Sequence, residues 1–181
     1  MLSTLRVLVD RGMDVRLEWF GGDTLNGTVE QKATTLGLAD RIAFRGEQSS
    51  TQVAHALRSA HLHVMSSRHE SQCVAVLEAA LAGVATVGTR VGTVADLAPH
   101  AALATPVADA EALAGGVAAL LHDLPRRLAL AEAAQRYARL HDASWTASMF
   151  TSLYRRISAA KSNHRLSSGA RHRIMRPGSR S

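Results

Sequence analysis

The sequence is short of cysteine, of aromatic residues and of long hydrophobic runs. Cys73 is the single cysteine, so the 181 residues hold no internal disulfide framework of the kind that stabilises small secreted domains. Aromatic residues make up only 4% of the chain, so a segment that concentrates them is unusual. Glu78 interrupts the longest hydrophobic run, which argues against a membrane span. The sequence does not open with cationic residues followed by a long apolar stretch, which argues against a signal peptide. We therefore expect a cytoplasmic protein.

Acidic residues are missing from positions 161–181, where six cations match the whole formal net charge of +6. The body of the chain is therefore near neutrality, and we expect no nucleic-acid partner. The segment is rich in Ser, Arg, Gly and His, and it holds too few apolar residues to offset the entropy of ordering. We predict a disordered basic tail that is either solvated or in weak contact with an anionic membrane surface. Its cations are Lys161, Arg165, Arg171, Arg173, Arg176 and Arg180.

Short apolar runs alternate with segments of helical spacing along residues 1–160. This alternation predicts an α/β domain with a Rossmann-like, doubly wound parallel sheet and additional C-terminal helices. Glycines follow two of the runs at Gly21, Gly22 and Gly46, where such sheets place their ligand loops. The predicted strands are residues 15–20, 41–44, 61–65, 85–88 and 101–104. The predicted helices are residues 2–12, 25–38, 50–60, 73–82, 107–121, 124–139 and 144–159.

Both ends of the predicted domain are unusual. The chain opens on a helix, although βα units normally begin on a strand. The final predicted helix, residues 144–159, concentrates apolar and aromatic side chains on one face, where a small domain offers no partner. We expect this face to bind a separate acceptor-binding domain or a second copy of the chain. Its residues are Trp145, Met149, Phe150, Leu153, Tyr154 and Ile157.

The most informative segment runs from residue 66 to residue 83. A buried strand is predicted to end at Met65, a polar loop to carry Glu70, and a helix to begin near Gln72 with Glu78 inside it. The free amides and positive dipole end of a helix N-terminus stabilise a phosphate without a metal ion. Carboxylates on either side suit hydroxyl groups, which donate charge-assisted hydrogen bonds to them. The pattern therefore fits a phosphate held between two polyols, which is the form of a sugar nucleotide.

Two other kinds of site are weaker interpretations of the same region. Cys73 with His69 has the residue types of a nucleophile and its base, but a lone cysteine at a helix start is usually a packing residue. His61 and His63 share one face of a strand and lie near His69, yet no further ligands accompany them. We expect neither a catalytic cysteine nor a metal site.

The segment resembles the family 4 retaining glycosyltransferases of GT-B architecture, whose C-terminal domain carries an E-x7-E motif matched by Glu70 and Glu78. The resemblance extends from about residue 5 to about residue 157. Further matching segments, in the family's order, are residues 17–23, 36–46, 66–83 and 87–96.

This resemblance implies a role for each matched residue. Glu70 binds the donor hexose as the catalytic residue, and Glu78 binds the nucleotide ribose. The backbone amides of Cys73 and Val74 bind the distal phosphate, while Gly21, Gly22 and Gly46 let the backbone approach the nucleotide. The implied reaction is metal-independent hexosyl transfer with retention, with no cofactor beyond the nucleotide-diphosphate sugar, and it depends on stabilising the charge of the leaving group.

The sequence also departs from the family pattern. A first strand and glycine-rich segment, leading to an Arg and a Lys that clamp the diphosphate, would precede Leu2, as would the N-terminal acceptor domain. We therefore expect a domain incomplete at its N-terminal side, with residues 15–20 and 61–65 facing a gap in the sheet. Smaller departures are Ala85 where Pro is usual, Cys73 where Gly is common and Asp96 where Glu is usual.

Three functional hypotheses follow from these residues. The first is the donor-binding part of a glycosyltransferase, and the second is a catalytically inactive fragment or nucleotide-binding module that needs a separate acceptor domain. The missing cationic segment favours inactivity of this chain alone. A nucleotide-sugar epimerase of the same architecture fits less well, because the Glu70 to Gly83 stretch is closer to the transferases.

Overall fold

A computed structural model describes residues 1–22 and 24–171, which contain five strands and eight α-helices. The strands are β1 Leu17–Phe20, β2 Ile42–Gly46, β3 His63–Met65, β4 Thr86–Thr89 and β5 Leu103–Thr105. The helices are α1 Leu2–Asp10, α2 Thr28–Thr35, α3 Ser50–Ser59, α4 Val74–Leu81, α5 Gly92–Leu97, α6 Ala110–His122, α7 Leu124–Leu140 and α8 Ala143–Arg171. Each predicted strand overlaps an observed one, so the predicted α/β class is confirmed.

Three local features differ from the expected pattern. The helix predicted over residues 25–38 is shortened to α2, and a 3-10 turn at Ala39–Arg41 leads into β2. Helix α5 was not predicted, because it begins at a glycine after Val91, which offers no capping side chain. Helix α8 continues to Arg171, past the predicted boundary at residue 160, while the rest of the predicted tail lies outside the described residues.

The strands form two parallel sheets instead of one. In the first sheet β1 pairs with β2, and in the second the order is β3-β4-β5. Strands β1 and β3 therefore each have a single partner strand in the described part of the chain. These are the two strands that the sequence places beside a gap, and a cavity of about 890 Å³ is lined by residues of both.

The core lies between the strands and the helices that cover them. Leu113 and Leu120 of α6 pack with Val87 of β4, together with residues of α1 and α7. Val76 of α4 and Val94 of α5 belong to a second cluster at the end of β3. A third cluster joins α1 and α2 to the first sheet. Since these side chains are almost fully buried, apolar burial fixes the positions of α4 and α5, which carry the candidate site.

The chain divides into two compact units, and the first ends at Arg139. The second begins at Leu140 and contains α8. The predicted apolar face of α8 is exposed to solvent in this structure, with Phe150 54% and Tyr154 65% exposed. No helix among the described residues is long and apolar enough to cross a membrane.

Helix α3 begins with a complete capping box. The Ser49 hydroxyl accepts from the Gln52 backbone N–H at 3.3 Å, and the Gln52 side chain accepts from the Ser49 N–H at 2.9 Å. Replacing Ser49 by Ala should lower the free energy of unfolding by about 1 kcal/mol, measured by urea denaturation. Ser59→Ala, at the other end of α3, is the matched control and should change it by less than about 0.5 kcal/mol. Equal effects would contradict the capping role.

His63 makes the stability of the fold depend on pH. Burial lowers its pKa from 6.5 to about 4, and its Nδ1 lies 3.1 Å from Thr86 Oγ1. The His63 side chain is protonated more readily in the unfolded chain than in the folded one. Its contribution to the free energy of unfolding is therefore fully present above pH 6.5 and is lost as pH falls through about 4. Between pH 7 and pH 5 the loss should be about 2 kcal/mol.

The measurement is urea denaturation of the wild type and of His63→Asn at several pH values. The Asn amide can keep the contact with Thr86 but does not titrate. The difference in unfolding free energy between the two proteins should therefore change between pH 7 and pH 4 and level off below the folded-state pKa of about 4. A pH-independent difference would contradict the buried neutral state of His63.

Candidate functional site

Glu70 lies in the loop between β3 and α4, and its side chain is held in place. Ser67 Oγ donates a hydrogen bond of 2.8 Å to Glu70 Oε1. The loop is in turn tied to β4, because the hydroxyl of buried Thr89 donates to the Ser67 carbonyl at 2.5 Å. The half-buried Glu70 carboxylate is thus oriented by one hydroxyl and keeps further lone pairs for a ligand.

Gly92, at the first position of α5, packs directly against this loop. A Cβ atom built on Gly92 would lie 2.8 Å from Glu70 Cβ and 3.2 Å from the Glu70 carbonyl oxygen. Its φ of +47° also falls in the left-handed region, which side chains avoid. The position therefore requires glycine, both for its backbone conformation and for the close approach of Glu70.

The start of α4 is open toward solvent. Cys73 is its N-cap residue in an extended conformation, and no side chain caps the helix. The N–H groups of Val74 and Ala75 have no intrahelical acceptor, because they belong to the first turn. Both residues are exposed and the first turn contains no acidic side chain. An anion can therefore reach these amides and the positive end of the helix dipole.

The Cys73 N–H, unlike those of Val74 and Ala75, has an acceptor within the protein. Its N–H donates to the hydroxyl oxygen of Thr93 at 3.2 Å, which links α4 to α5. A phosphate bound at this amide would have to displace the Thr93 hydroxyl or share the hydrogen with it. Of the two amides expected at the phosphate, only that of Val74 is without a protein acceptor in the described structure.

Glu78 lies one helical turn after Val74, so both residues lie on the same face of α4. Its side chain is half-buried, and within the described residues its carboxylate has neither an ion pair nor a hydrogen bond. Val74 and Leu81 on the same face are 63% and 53% exposed. An unpaired carboxylate thus stands between two exposed apolar side chains, available to accept hydrogen bonds.

Gly21, Gly22 and Gly46 lie where β1 and β2 end. The Gly21 N–H donates to the Gly46 carbonyl at 2.9 Å, and both residues have positive φ angles. A Cβ on Gly22 would lie 2.9 Å from Oε1 of the exposed Glu47 side chain, which can move away. All three glycines are exposed, as expected for backbone that approaches a ligand.

The predicted site residues thus form two groups in the described structure. Glu70, Cys73, Val74 and Glu78 share the β3–α4 segment, whereas Gly21, Gly22 and Gly46 share the ends of β1 and β2. No hydrogen bond or ion pair among the described residues joins the two groups. Sequence reasoning gave no role to Thr89 and Thr93, because their hydrogen-bond partners Ser67 and Cys73 lie 22 and 20 positions away in the chain.

The alternative sites find no support in the described residues. No group of three or more His, Cys, Asp and Glu side chains within them could hold a metal ion. His63 is directed toward Thr86, and Cys73 is a half-buried free thiol at the helix start. That the reaction is independent of metal ions stays a prediction.

The sequence profile of the family described as glycosyl transferases group 1 matches residues 2–137. The chain belongs to this family. A curated glycosyl transferase relative is the D-inositol 3-phosphate glycosyltransferase of Corynebacterium urealyticum, 27% identical over 166 residues that cover 87% of this chain and 39% of that protein. The prediction of a glycosyltransferase is therefore confirmed at the level of group 1, whereas family 4, retention of configuration and the incomplete N-terminal side stay predictions.

Solved glycosyl transferase structures share the fold. Sucrose-phosphate synthase of Thermosynechococcus elongatus aligns with a TM-score of 0.76 at 22% identity, over 88% of this chain and 42% of that one. Anabaena HepE in complex with UDP-glucose aligns with a TM-score of 0.66 at 22% identity, over 75% and 39% of the two chains. The GT-B, Rossmann-like fold prediction is confirmed, and the chain spans about two fifths of the length of the Corynebacterium relative and of these two structures.

Proposed function

We propose that the chain binds a nucleotide-diphosphate sugar and forms the donor-binding part of a retaining, metal-independent hexosyltransferase of family 4. The observation that carries this proposal is the arrangement on the β3–α4 segment. Glu70 precedes the open start of a helix, the amides of Val74 and Ala75 have no acceptor there, and the unpaired Glu78 follows one turn later. Membership of the glycosyl transferases group 1 family supports it.

The donor would lie across the start of α4. Its distal phosphate accepts hydrogen bonds from the amides of Val74 and Ala75, assisted by the helix dipole. The hexose hydroxyls donate to Glu70 on one side, and the ribose hydroxyls donate to Glu78 on the other. HepE, whose structure was solved with UDP-glucose, has this fold, which supports a uridine nucleotide as a first choice of ligand.

Hexosyl transfer would depend on stabilising the diphosphate as it leaves. The bond from the anomeric carbon to the phosphate oxygen breaks while the acceptor hydroxyl oxygen bonds to the same face of the sugar, and the hydroxyl proton passes to the departing phosphate oxygen. Negative charge then develops on the phosphate, next to the unpaired amides of α4, whose hydrogen bonds strengthen as the charge grows. Glu70, oriented by Ser67, would hold the hexose in position for this step.

A second function is a nucleotide-sugar-binding module that transfers no sugar unless an acceptor domain is supplied. The chain spans 39% of the Corynebacterium enzyme and 42% of the synthase. The Cys73 amide is moreover engaged by Thr93, which leaves fewer free donors for the leaving phosphate. A separate acceptor domain, or a second copy, would bind through the exposed face of α8.

Calorimetric titration tests whether the chain binds a nucleotide sugar, which both proposed functions require. UDP, GDP, ADP and their hexose conjugates are titrated into the purified chain in the presence of EDTA. We expect saturable, metal-independent binding of one nucleotide family, with the sugar conjugate bound more tightly than the diphosphate alone. Strictly metal-dependent binding, or none by a folded chain, would contradict the proposal.

Catalysis is tested separately with the ligand that binds. Donor hydrolysis and transfer to added acceptors are followed by NMR, which reports the configuration at the anomeric carbon. Products that keep the donor configuration support retaining transfer. Binding without any turnover supports the module function, and inverted products would contradict the retaining assignment.

A further inference from the structure

The hydroxyl group of Thr93 is only partly used by the fold. Thr93 is 7% exposed, and its hydroxyl oxygen accepts the Cys73 N–H at 3.2 Å. A threonine hydroxyl can also donate one hydrogen bond. Buried Thr89 and Thr105 donate theirs to backbone carbonyls, whereas the Thr93 hydroxyl meets no acceptor among the described residues. Since buried polar groups are normally satisfied, this hydrogen is available to an acceptor that a ligand supplies.

The hydroxyl lies beside the place proposed for the distal phosphate. Its partner, the Cys73 N–H, directly precedes the Val74 N–H, which is the first open amide of α4. A group that contacts the first of these amides is therefore next to an anion that binds the second. Gly92, which precedes Thr93 in the chain, packs against Glu70. Thr93 is thus close to both the loop that carries Glu70 and the start of α4.

The apolar core holds this hydroxyl in place. Val94, the next residue of α5, is fully buried and packs in the cluster that also contains Leu97 of α5 and Val76 of α4. Because the two helices share this core, α5 cannot move away from α4 without exposing these side chains. The β-branched side chain of threonine is also restricted at χ1. A phosphate at Val74 therefore has the Thr93 hydroxyl as a fixed neighbour.

We infer that Thr93 binds the distal phosphate of the donor by donating its hydroxyl hydrogen to a phosphate oxygen, while its oxygen keeps the Cys73 N–H. The hydroxyl thereby substitutes for the Cys73 amide, whose hydrogen it has taken. A hydroxyl that accepts one hydrogen bond is polarised and donates a second one more strongly. The bond to the phosphate strengthens further as negative charge develops on the leaving group. This role rests on the proposed function, and it favours a nucleoside diphosphate over a monophosphate, which has no distal phosphate.

Calorimetric titration of Thr93→Val and Thr93→Ser tests this role. Valine removes the hydroxyl but keeps the branched shape, whereas serine keeps the hydroxyl. The ligands are the diphosphate and the monophosphate of the base that the wild type prefers among UDP, GDP and ADP. We expect Thr93→Val to weaken diphosphate binding about tenfold or more and Thr93→Ser to stay within about threefold of wild type. Monophosphate binding should change by less than about twofold in both variants.

Thr105→Val is the matched control. The Thr105 hydroxyl is buried and donates to the Gly88 carbonyl at 3.2 Å, within the sheet rather than at α4. The control removes the same group from the core, so this variant should bind the diphosphate as the wild type does, even where its melting temperature falls.

Three results would overturn the role of Thr93. Tighter diphosphate binding by Thr93→Val would show that the hydroxyl competes with the phosphate for the Cys73 N–H. Unchanged binding by Thr93→Val, with a wild type that binds, would remove the role of Thr93 and leave the proposed function standing. Equal weakening by Thr93→Val and Thr93→Ser would indicate packing instead of a hydrogen bond. If the wild type binds no nucleoside diphosphate, the proposed function and the role of Thr93 both fail.

NMR of the wild type decides the question if circular dichroism shows that Thr93→Val does not fold. At saturation with the diphosphate, the Thr93 hydroxyl proton should exchange slowly and show a nuclear Overhauser contact to the Thr93 methyl group. A saturated complex without this slowly exchanging hydroxyl proton would overturn the role.

Discussion

Replacing Glu78 by Gln should weaken the binding of the preferred nucleotide sugar about 10- to 100-fold. The carboxylate is half-buried and has no hydrogen-bond or ion-pair partner among the described residues, so a ribose hydroxyl would find both oxygens available. A hydrogen bond to a charged group contributes about 1.5–3 kcal/mol, which corresponds to this loss. The measurement is calorimetric titration of both proteins with the same ligand.

The matched control for this change is Glu30→Gln on α2, an exposed carboxylate in the first turn of another helix. It removes the same charge from the protein without changing α4, so the affinity of this variant for the nucleotide sugar should stay within about twofold of wild type. If Glu78→Gln binds as tightly as the control, Glu78 does not contact the ligand. Equal weakening of both variants would point to net charge as the cause.

Replacing Gly92 by Ala should lower the free energy of unfolding by about 2–4 kcal/mol and also weaken donor binding. The left-handed backbone at φ +47° costs a side chain about 1–2 kcal/mol, and the new Cβ would overlap Glu70 Cβ at 2.8 Å. Relief of this overlap must move the loop that carries Glu70. Urea denaturation and calorimetric titration measure the two effects.

Gly12→Ala separates the two contributions. Gly12 has a φ of +75°, but a Cβ there would meet nothing within 4 Å. It should lose only about 1–2 kcal/mol of stability and bind the donor as wild type does. If Gly92→Ala lowers the free energy of unfolding and the donor affinity no more than Gly12→Ala does, the close contact with Glu70 does not position the loop.

Much of the fold could be predicted from local sequence pattern. Short apolar runs such as residues 85–88 identify strands because a buried parallel strand needs apolar side chains on both faces. The end of α4 is equally local, since Gly83 provides the left-handed conformation that lets the Val84 N–H donate to the Ala79 carbonyl. The order of Glu70, helix start and Glu78 is likewise a property of consecutive residues.

The remainder depends on contacts between distant parts of the chain. Helix α5 has no polar N-cap, and packing of Val94 in the core stabilises it instead. The engagement of the Cys73 amide by Thr93 arises only when α5 is brought against α4, and no local pattern reports it. The gap between β1 and β3 was expected only from the family resemblance, because the residues of a strand do not show which strands lie beside it.

The central claim, that the β3–α4 segment binds a nucleotide sugar, is tested most directly by mapping the ligand onto the backbone amides by NMR. The chain is labelled with nitrogen-15 and titrated with UDP-glucose and the other nucleotide sugars in EDTA. The account predicts that the largest saturable shifts fall on Val74, Ala75 and Glu78 and on the loop around Glu70. Saturable shifts confined to other parts of the chain, with residues 70–78 unchanged, would contradict it.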